Sequence, residues 1–364
     1  MNFDLSDDQV ALRDGARALL DGLASSDRVR VVVEAGGGVD AALWQAMVEQ
    51  GWAAVAVPES AGGLGLGPVE VSVLAEEIGA HAGPAPVVST VLALDALIAG
   101  GATALFERLV EGAIGCVAWS RDAGAVTAEQ RGSSWTLTGR PAPTPYAPSA
   151  SVAVVGADSS DGPALFAVDL DEVGRPPREP AMDRTREIGW LRLESAPAQL
   201  LGGSEAVDAL VDRGSVYACA EMLGGAENVL DLAVEYAKER VQFGRPIGSF
   251  QAVKHRCADM LVDVEGMRST TYWAAWCLAA GDAEASVAAS TAKVWCVDAS
   301  KRVMASALQV HGGIGFTWEH DLHLFMKRAQ LDQLELGDAS YHRDRLAALL
   351  RPRVEAGSGV ISAP

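Results

Sequence analysis

The hydrophobic periodicity of this chain changes twice, and those two changes restrict its possible folds more than any single residue does. Up to about residue 111 the apolar positions recur at helical spacing. A capping box is legible at Ser6 and Gln9, with Leu5 placed to staple onto Val10, and the stripe continues through Leu12, Ala16, Leu19 and Leu20. Further helical patterns run over 41–50, 68–78 and 87–98. From Gly112 the texture becomes short β-prone pieces, among them Cys116–Trp119, Trp135–Thr138, Ser151–Val155 and Ala164–Val168, separated by Gly, Pro, Ser and Asp. After Gly203 helical spacing returns in long stretches over 204–239, 249–280, 284–310 and 320–350. In the second of these, Phe250, Val253, Cys257, Met260, Val264, Met267 and Thr271 share one face. The expected organisation is an N-terminal α-helical domain (1–111), a middle β domain (112–203), a C-terminal antiparallel four-helix bundle (204–352) and a flexible tail (353–364).

Charge narrows the function classes. The chain carries 29 Lys and Arg against 48 Asp and Glu, a formal net charge of −19. A field of that sign opposes phosphate backbones and anionic lipid, so neither nucleic acid nor a membrane surface is an expected partner. An anionic cofactor stays open, because one local Arg or helix terminus outweighs a distant average. Cysteines at 116, 219, 257, 277 and 296 are odd in number and scattered, which suits reduced thiols. The acidic start, MNFDLSDDQV, has no apolar signal region, and a cytoplasmic location is expected. None of the six histidines stands at zinc spacing with other ligands, so no metal is expected; His320 and His323, one turn apart, read as a solvated helix face.

Two segments place polar or backbone-exposing residues at the ends of apolar helices. In Arg240-Val-Gln-Phe-Gly244 the guanidinium fork could clamp a diphosphate, or could simply cap a helix C-terminus, where a cation is favoured anyway. In Gln309-Val-His-Gly-Gly-Ile-Gly315 the glycines let backbone approach a ligand and Gln309 offers donor and acceptor. The competing reading is a glycine-rich helix stop. A helix precedes these glycines instead of a strand, so the segment is not a Rossmann fingerprint.

Together with Leu43-Trp44, Gly51-Trp52, Val57-Pro-Glu-Ser-Ala-Gly-Gly63 and Glu76-Glu-Ile-Gly79, these two segments resemble the acyl-CoA dehydrogenase family over nearly the whole chain. The strongest stretches are 237–251 and 309–320. The resemblance implies FAD as cofactor and an acyl-CoA thioester as substrate, oxidised between Cα and Cβ with a carboxylate as base. It also implies electron-transfer flavoprotein as acceptor. Carried over, it assigns Arg240, Gln242, Phe243, Gln309, Gly312 and Gly313 to the adenosine diphosphate half of an FAD serving a neighbouring subunit.

The catalytic positions depart from that pattern. Where the usual base follows the last FAD segment, this chain has Leu336, and where branched-chain members place it, Gly214. Glu335 is adjacent, but an offset of one helical residue turns a side chain by about 100°, so it is expected to point elsewhere. Asp212 and Glu221 are the other candidate substitutes. In the β domain, prolines in Gly139-Arg-Pro-Ala-Pro-Thr-Pro-Tyr146 remove donors where the flavin ring would be bound. Retained FAD segments beside a lost base resemble the smaller subunits of actinobacterial α2β2 acyl-CoA dehydrogenases of steroid side-chain degradation. The resemblance implies a heteromer whose larger partner supplies the base while this chain completes the FAD diphosphate site. The alternatives are a self-sufficient homotetramer with a relocated carboxylate and a flavin-free structural subunit.

Overall fold

A computed structural model describes residues 4–357; the remainder of the expected tail, 358–364, lies outside the described residues. The N-terminal part holds six helices: α1 (Asp7–Leu23), α2 (Ser26–Glu34), α3 (Ala41–Glu49), α4 (Pro68–Ala80), α5 (Val87–Ala99) and α6 (Thr103–Val110). The capping box is present at the start of α1: Gln9 N donates to Ser6 Oγ at 3.2 Å and Ser6 N to Gln9 Oε1 at 2.9 Å.

Eight strands follow: β1 (Gly115–Ala118), β2 (Val126–Arg131), β3 (Ser134–Gly139), β4 (Thr144–Pro145), β5 (Val152–Ser159), β6 (Gly162–Asp169), then, after a one-turn helix α7 (Leu170–Val173), β7 (Ile188–Gly189) and β8 (Leu193–Gly202). Six of them form one sheet ordered β1-β5-β2-β3-β8-β6, and β6 also pairs with β5, so the sheet closes on itself. Leu137, Val155, Phe166 and Val168 fill its interior. The prolines of the 139–146 stretch leave only β4, a two-residue strand paired with β7.

The C-terminal part consists of α8 (Ser204–Glu239), a tight hairpin of β9 (Val241–Gln242) and β10 (Arg245–Pro246), then α9 (Gln251–Ala280), α10 (Ala285–His311), α11 (Leu322–Asp332) and α12 (Ala339–Glu355). On α9 the expected inner face is buried at Met260, Val264, Met267 and Thr271. The expected single helix over 320–350 is instead two. Between them the chain turns through Leu336 (φ +53°) and Gly337 (φ +102°), left-handed conformations that end a helix, and the Asp338 side chain caps the next one by accepting from Tyr341 N at 2.9 Å. Helix α12 extends through Arg353 to Glu355, beyond where the tail was expected to begin.

Helices α4 and α8 cross backbone to backbone. A Cβ on Gly79 would overlap the carbonyl of Glu221, and one on Gly224 the carbonyl of Glu76. This approach sets Glu221 against the N-terminal helices. Across the same seam Arg268 and Tyr272 of α9 donate to Glu76, each at 2.6 Å.

Candidate active site and cofactor surface

A cavity of about 500 Å³ lies where the three parts meet. Helix α5 contributes Val88 and Leu92, strand β1 contributes Val117 with Trp119 just beyond it, and the turn after α11 contributes Leu334, Glu335 and Leu336. Leu336 occupies the space that a Cβ on Gly214 would need. The two positions where the family resemblance places a base therefore face one another, and neither has a carboxylate.

The turn carrying Leu336 is held from behind. The fully buried Lys293 donates from Nζ to the carbonyls of Asp332 and Glu335, both at 2.7 Å. Burial, with Lys293 nearby, pushes the His342 imidazole down to about 3, so the ring is neutral. Its contact of 3.0 Å to the Leu336 carbonyl assigns the proton to Nε2, leaving Nδ1 to accept from Ser290 Oγ at 3.2 Å.

A buried ionic network closes one end of the cavity. Arg186 reaches Glu221 Oε2 at 2.5 Å, Asp332 Oδ1 at 2.8 Å and Glu335 Oε1 at 3.1 Å. Arg328 reaches Asp183 at 3.2 Å and Glu221 Oε1 at 3.4 Å, and donates to the carbonyls of Ala82 and Gly83. Burial pushes the Asp332 carboxyl up to about 8, the neighbouring Arg186 opposing this only in part. For Arg186 burial disfavours the charge, but the surrounding carboxylates outweigh it and its pKa is raised. Glu221, Asp332 and Glu335 bring ligand oxygens within 4.8 Å of one another, as a metal set would, yet the cation serving all three is the Arg186 guanidinium.

The substitute bases fare differently from expectation. Glu335 does line the cavity, beside Leu336. The 100° argument assumed a continuing helix, whereas α11 ends at Asp332 and the turn presents both residues inward. Glu221 also reaches the cavity, but its two carboxylate oxygens are already engaged by the Arg186 and Arg328 guanidiniums. Asp212 does not line it: the carboxylate accepts from Ser286 Oγ at 2.5 Å and pairs with Arg345.

Arg186, Arg328, Asp332 and Lys293 were not anticipated. For two of them a signal existed, because Leu324, Phe325, Arg328, Ala329 and Asp332 form one stripe of α11, placing two charges on its apolar face. His320 and His323 do not form a solvated face. His320 packs edge-on against His311 at 4.4 Å between centroids, and His323 stacks on Trp318 at 4.5 Å.

The six expected cofactor residues lie apart from this cavity; none lines it. Arg240 caps the C-terminus of α8, and Gln309 lies in the last turn of α10. The ends of those helices are tied together by the ring of Tyr236 stacked on His311 at 4.8 Å. Arg240, Gln242, Phe243, Gln309 and Gly313 are exposed, and Gly312 is half-buried. Phe243 and Gly244 both take positive φ (+53° and +77°), the conformation of a type I′ hairpin, and Phe243 is 91% exposed. A phenylalanine held both in a left-handed conformation and in solvent is costly twice over, as expected where another molecule covers it. At Gly312 (φ +62°) and Gly313 an added Cβ would meet nothing within 4 Å, so a phosphate could approach the backbone from outside. This donor set fits the diphosphate half of a dinucleotide.

Residues 6–114 match the acyl-CoA dehydrogenase N-terminal domain and residues 202–350 the acyl-CoA dehydrogenase C-terminal domain. Acyl-CoA dehydrogenase IpdE2 of Mycolicibacterium smegmatis is 34% identical over 346 residues, covering 94% of this chain and 99% of the relative. Among solved structures, a variant of the Tcur3481–Tcur3483 steroid ACAD is 32% identical with a TM-score of 0.89. The ChsE4–ChsE5 complex from Mycobacterium tuberculosis is 29% identical with a TM-score of 0.90; each comparison covers 96% of this chain and 99% of the other. No helix among the described residues is long and apolar enough to cross a membrane. In sequence over both terminal parts and in fold throughout, the chain belongs to the acyl-CoA dehydrogenase family of flavoprotein oxidoreductases.

Proposed function

We propose that this chain is the non-catalytic subunit of an FAD-dependent acyl-CoA dehydrogenase, α2β2 with a larger homologue, and that it completes the diphosphate end of the FAD bound by that partner. The observation that carries the reading is the cavity wall, where Leu336 packs into the space above Gly214 and no carboxylate stands at either position of the base. Arg240 would clamp the diphosphate, Gln242 and Gln309 would supply amide hydrogen bonds, Phe243 would cover the nucleotide and the backbone at Gly312 and Gly313 would approach the phosphates. When bound, FAD accepts the hydride from the thioester. The partner removes the α proton. Similarity to the two-component ChsE4–ChsE5 complex and Tcur3481–Tcur3483 steroid ACAD supports a heteromer, and the second supports a steroid thioester as substrate. Electron-transfer flavoprotein as acceptor, a cytoplasmic location and domain bounds after residues 111 and 203 complete the proposal.

Co-expression with the larger homologue, purification and a flavin count test it. One FAD for each pair of unlike chains, with no turnover by this chain alone, is expected. A yellow, active homotetramer overturns it. The presence of Glu335 in the cavity favours one alternative, a self-sufficient enzyme with a displaced base. Turnover by the purified chain that Glu335→Gln removes would establish that alternative.

A further inference from the structure

We propose that the cavity of this chain is a ligand site in its own right, and that it takes an uncharged lipophilic alcohol in place of a CoA thioester. The inference rests on the non-catalytic reading, since a subunit relieved of the reaction need not admit its substrate.

Three observations carry it. The cavity has about 500 Å³ and walls of Val88, Leu92, Val117, Leu334 and Leu336, within the range of sites that enclose a small molecule. Its polar end offers an acceptor. Glu335 Oε1 accepts from Arg186, no hydrogen bond among the described residues reaches its Oε2, and its side chain is 23% exposed. A hydroxyl can donate there. A second anion would meet Glu221, Asp332 and Glu335 around a guanidinium already engaged by all three.

The third observation is the charge of the mouth. The cavity shares Trp119, Ser120, Arg121 and Asp122 with an adjoining recess of about 300 Å³. Around this entrance Asp122, Asp158, Asp208 and Asp338 outnumber the cations: Arg345 pairs with Asp208 from outside the lining at 3.1 Å, and the cation in the lining itself is Arg121. That cation is engaged with Asp338 at 3.4 Å and Asp122 at 3.8 Å. The phosphates of CoA would enter a field of their own sign, whereas an uncharged alcohol meets no such barrier.

Equilibrium dialysis of the purified full chain against radiolabelled 1-decanol and, separately, decanoyl-CoA tests the proposal. One decanol per chain is expected, lost in Leu92→Trp, which fills the cavity, and weakened about tenfold in Glu335→Gln, which keeps the shape but not the charged acceptor. Val88→Phe is a second cavity-filling variant should Leu92→Trp fail to fold. Retention of decanoyl-CoA at a site sensitive to these substitutions overturns the proposal, as does decanol binding indifferent to both filling variants or absent altogether. Turnover by the isolated chain would instead overturn the non-catalytic reading, so the two failures are distinguishable.

Discussion

Leu336 fills the volume that a side chain on Gly214 would occupy. The two residues are far apart in the chain, one inside α8 and the other in a left-handed turn after α11, and each is the partner that makes the other tolerable. Gly214→Ala should therefore destabilise the chain by about 1–2 kcal/mol through overpacking, although alanine is the better helix former. Leu336→Ala opens the missing space, so the double variant should lose less than the sum of the singles by at least about 0.5 kcal/mol in denaturant melts. Strict additivity would show that the residues do not share that volume.

The proton on Asp332 makes stability depend on pH. Its carboxyl titrates near 8 when folded, against about 4 in an unfolded chain. The folded state thus binds a proton that the unfolded state has released. This contribution is complete below about pH 4 and is lost as pH rises through about 8, with a slope of at most about 1.4 kcal/mol per pH unit. Asp332→Asn removes the titration and should flatten that part of the Tm profile. A profile unchanged by the substitution would assign the slope to another group.

Glu221, Asp332 and Glu335 all pair with Arg186, and Glu221 pairs with Arg328 as well. Arg186→Met leaves Glu221, Asp332 and Glu335 facing one another, and the loss should be about 3–5 kcal/mol, as for breaking any buried ion pair from one side. A variant within about 1 kcal/mol of the wild type would mean that the carboxylates take up protons at little cost.

Arg240 offers the opposite contrast. It is exposed and sits at a helix C-terminus, so Arg240→Ala should cost the chain no more than about 1 kcal/mol. In the co-expressed complex the same change should lower the flavin-to-protein ratio, read from visible absorbance. Undiminished flavin would favour the purely structural subunit.

Helices α3, α4, α5, α8, α9 and α10 were legible because their apolar residues repeat at the helical period. Strands β2 and β8 were missed because charged and polar residues on their outer faces hide the alternation, with only Val126 and Ala128 of β2 buried. The expectation for 320–350 failed at one point. Helix α11 ends at Asp332, the backbone then turns left-handed at Leu336 and Gly337, and the carbonyls of that turn find Lys293 and His342 across the bundle.

Local spacing and residue type alone determined the three-part order and the placing of the Arg240 and Gly312 segments at helix ends, and the family resemblance added that positions 214 and 336 lack a carboxylate, since each is a property of one stretch of chain. Only the tertiary structure decided that positions 214 and 336 touch, that Glu335 turns inward beside Leu336, and that one guanidinium gathers three carboxylates. The physical reason is that burial and ion pairing depend on which helices meet, and a side chain's surroundings are supplied by segments remote from it in sequence.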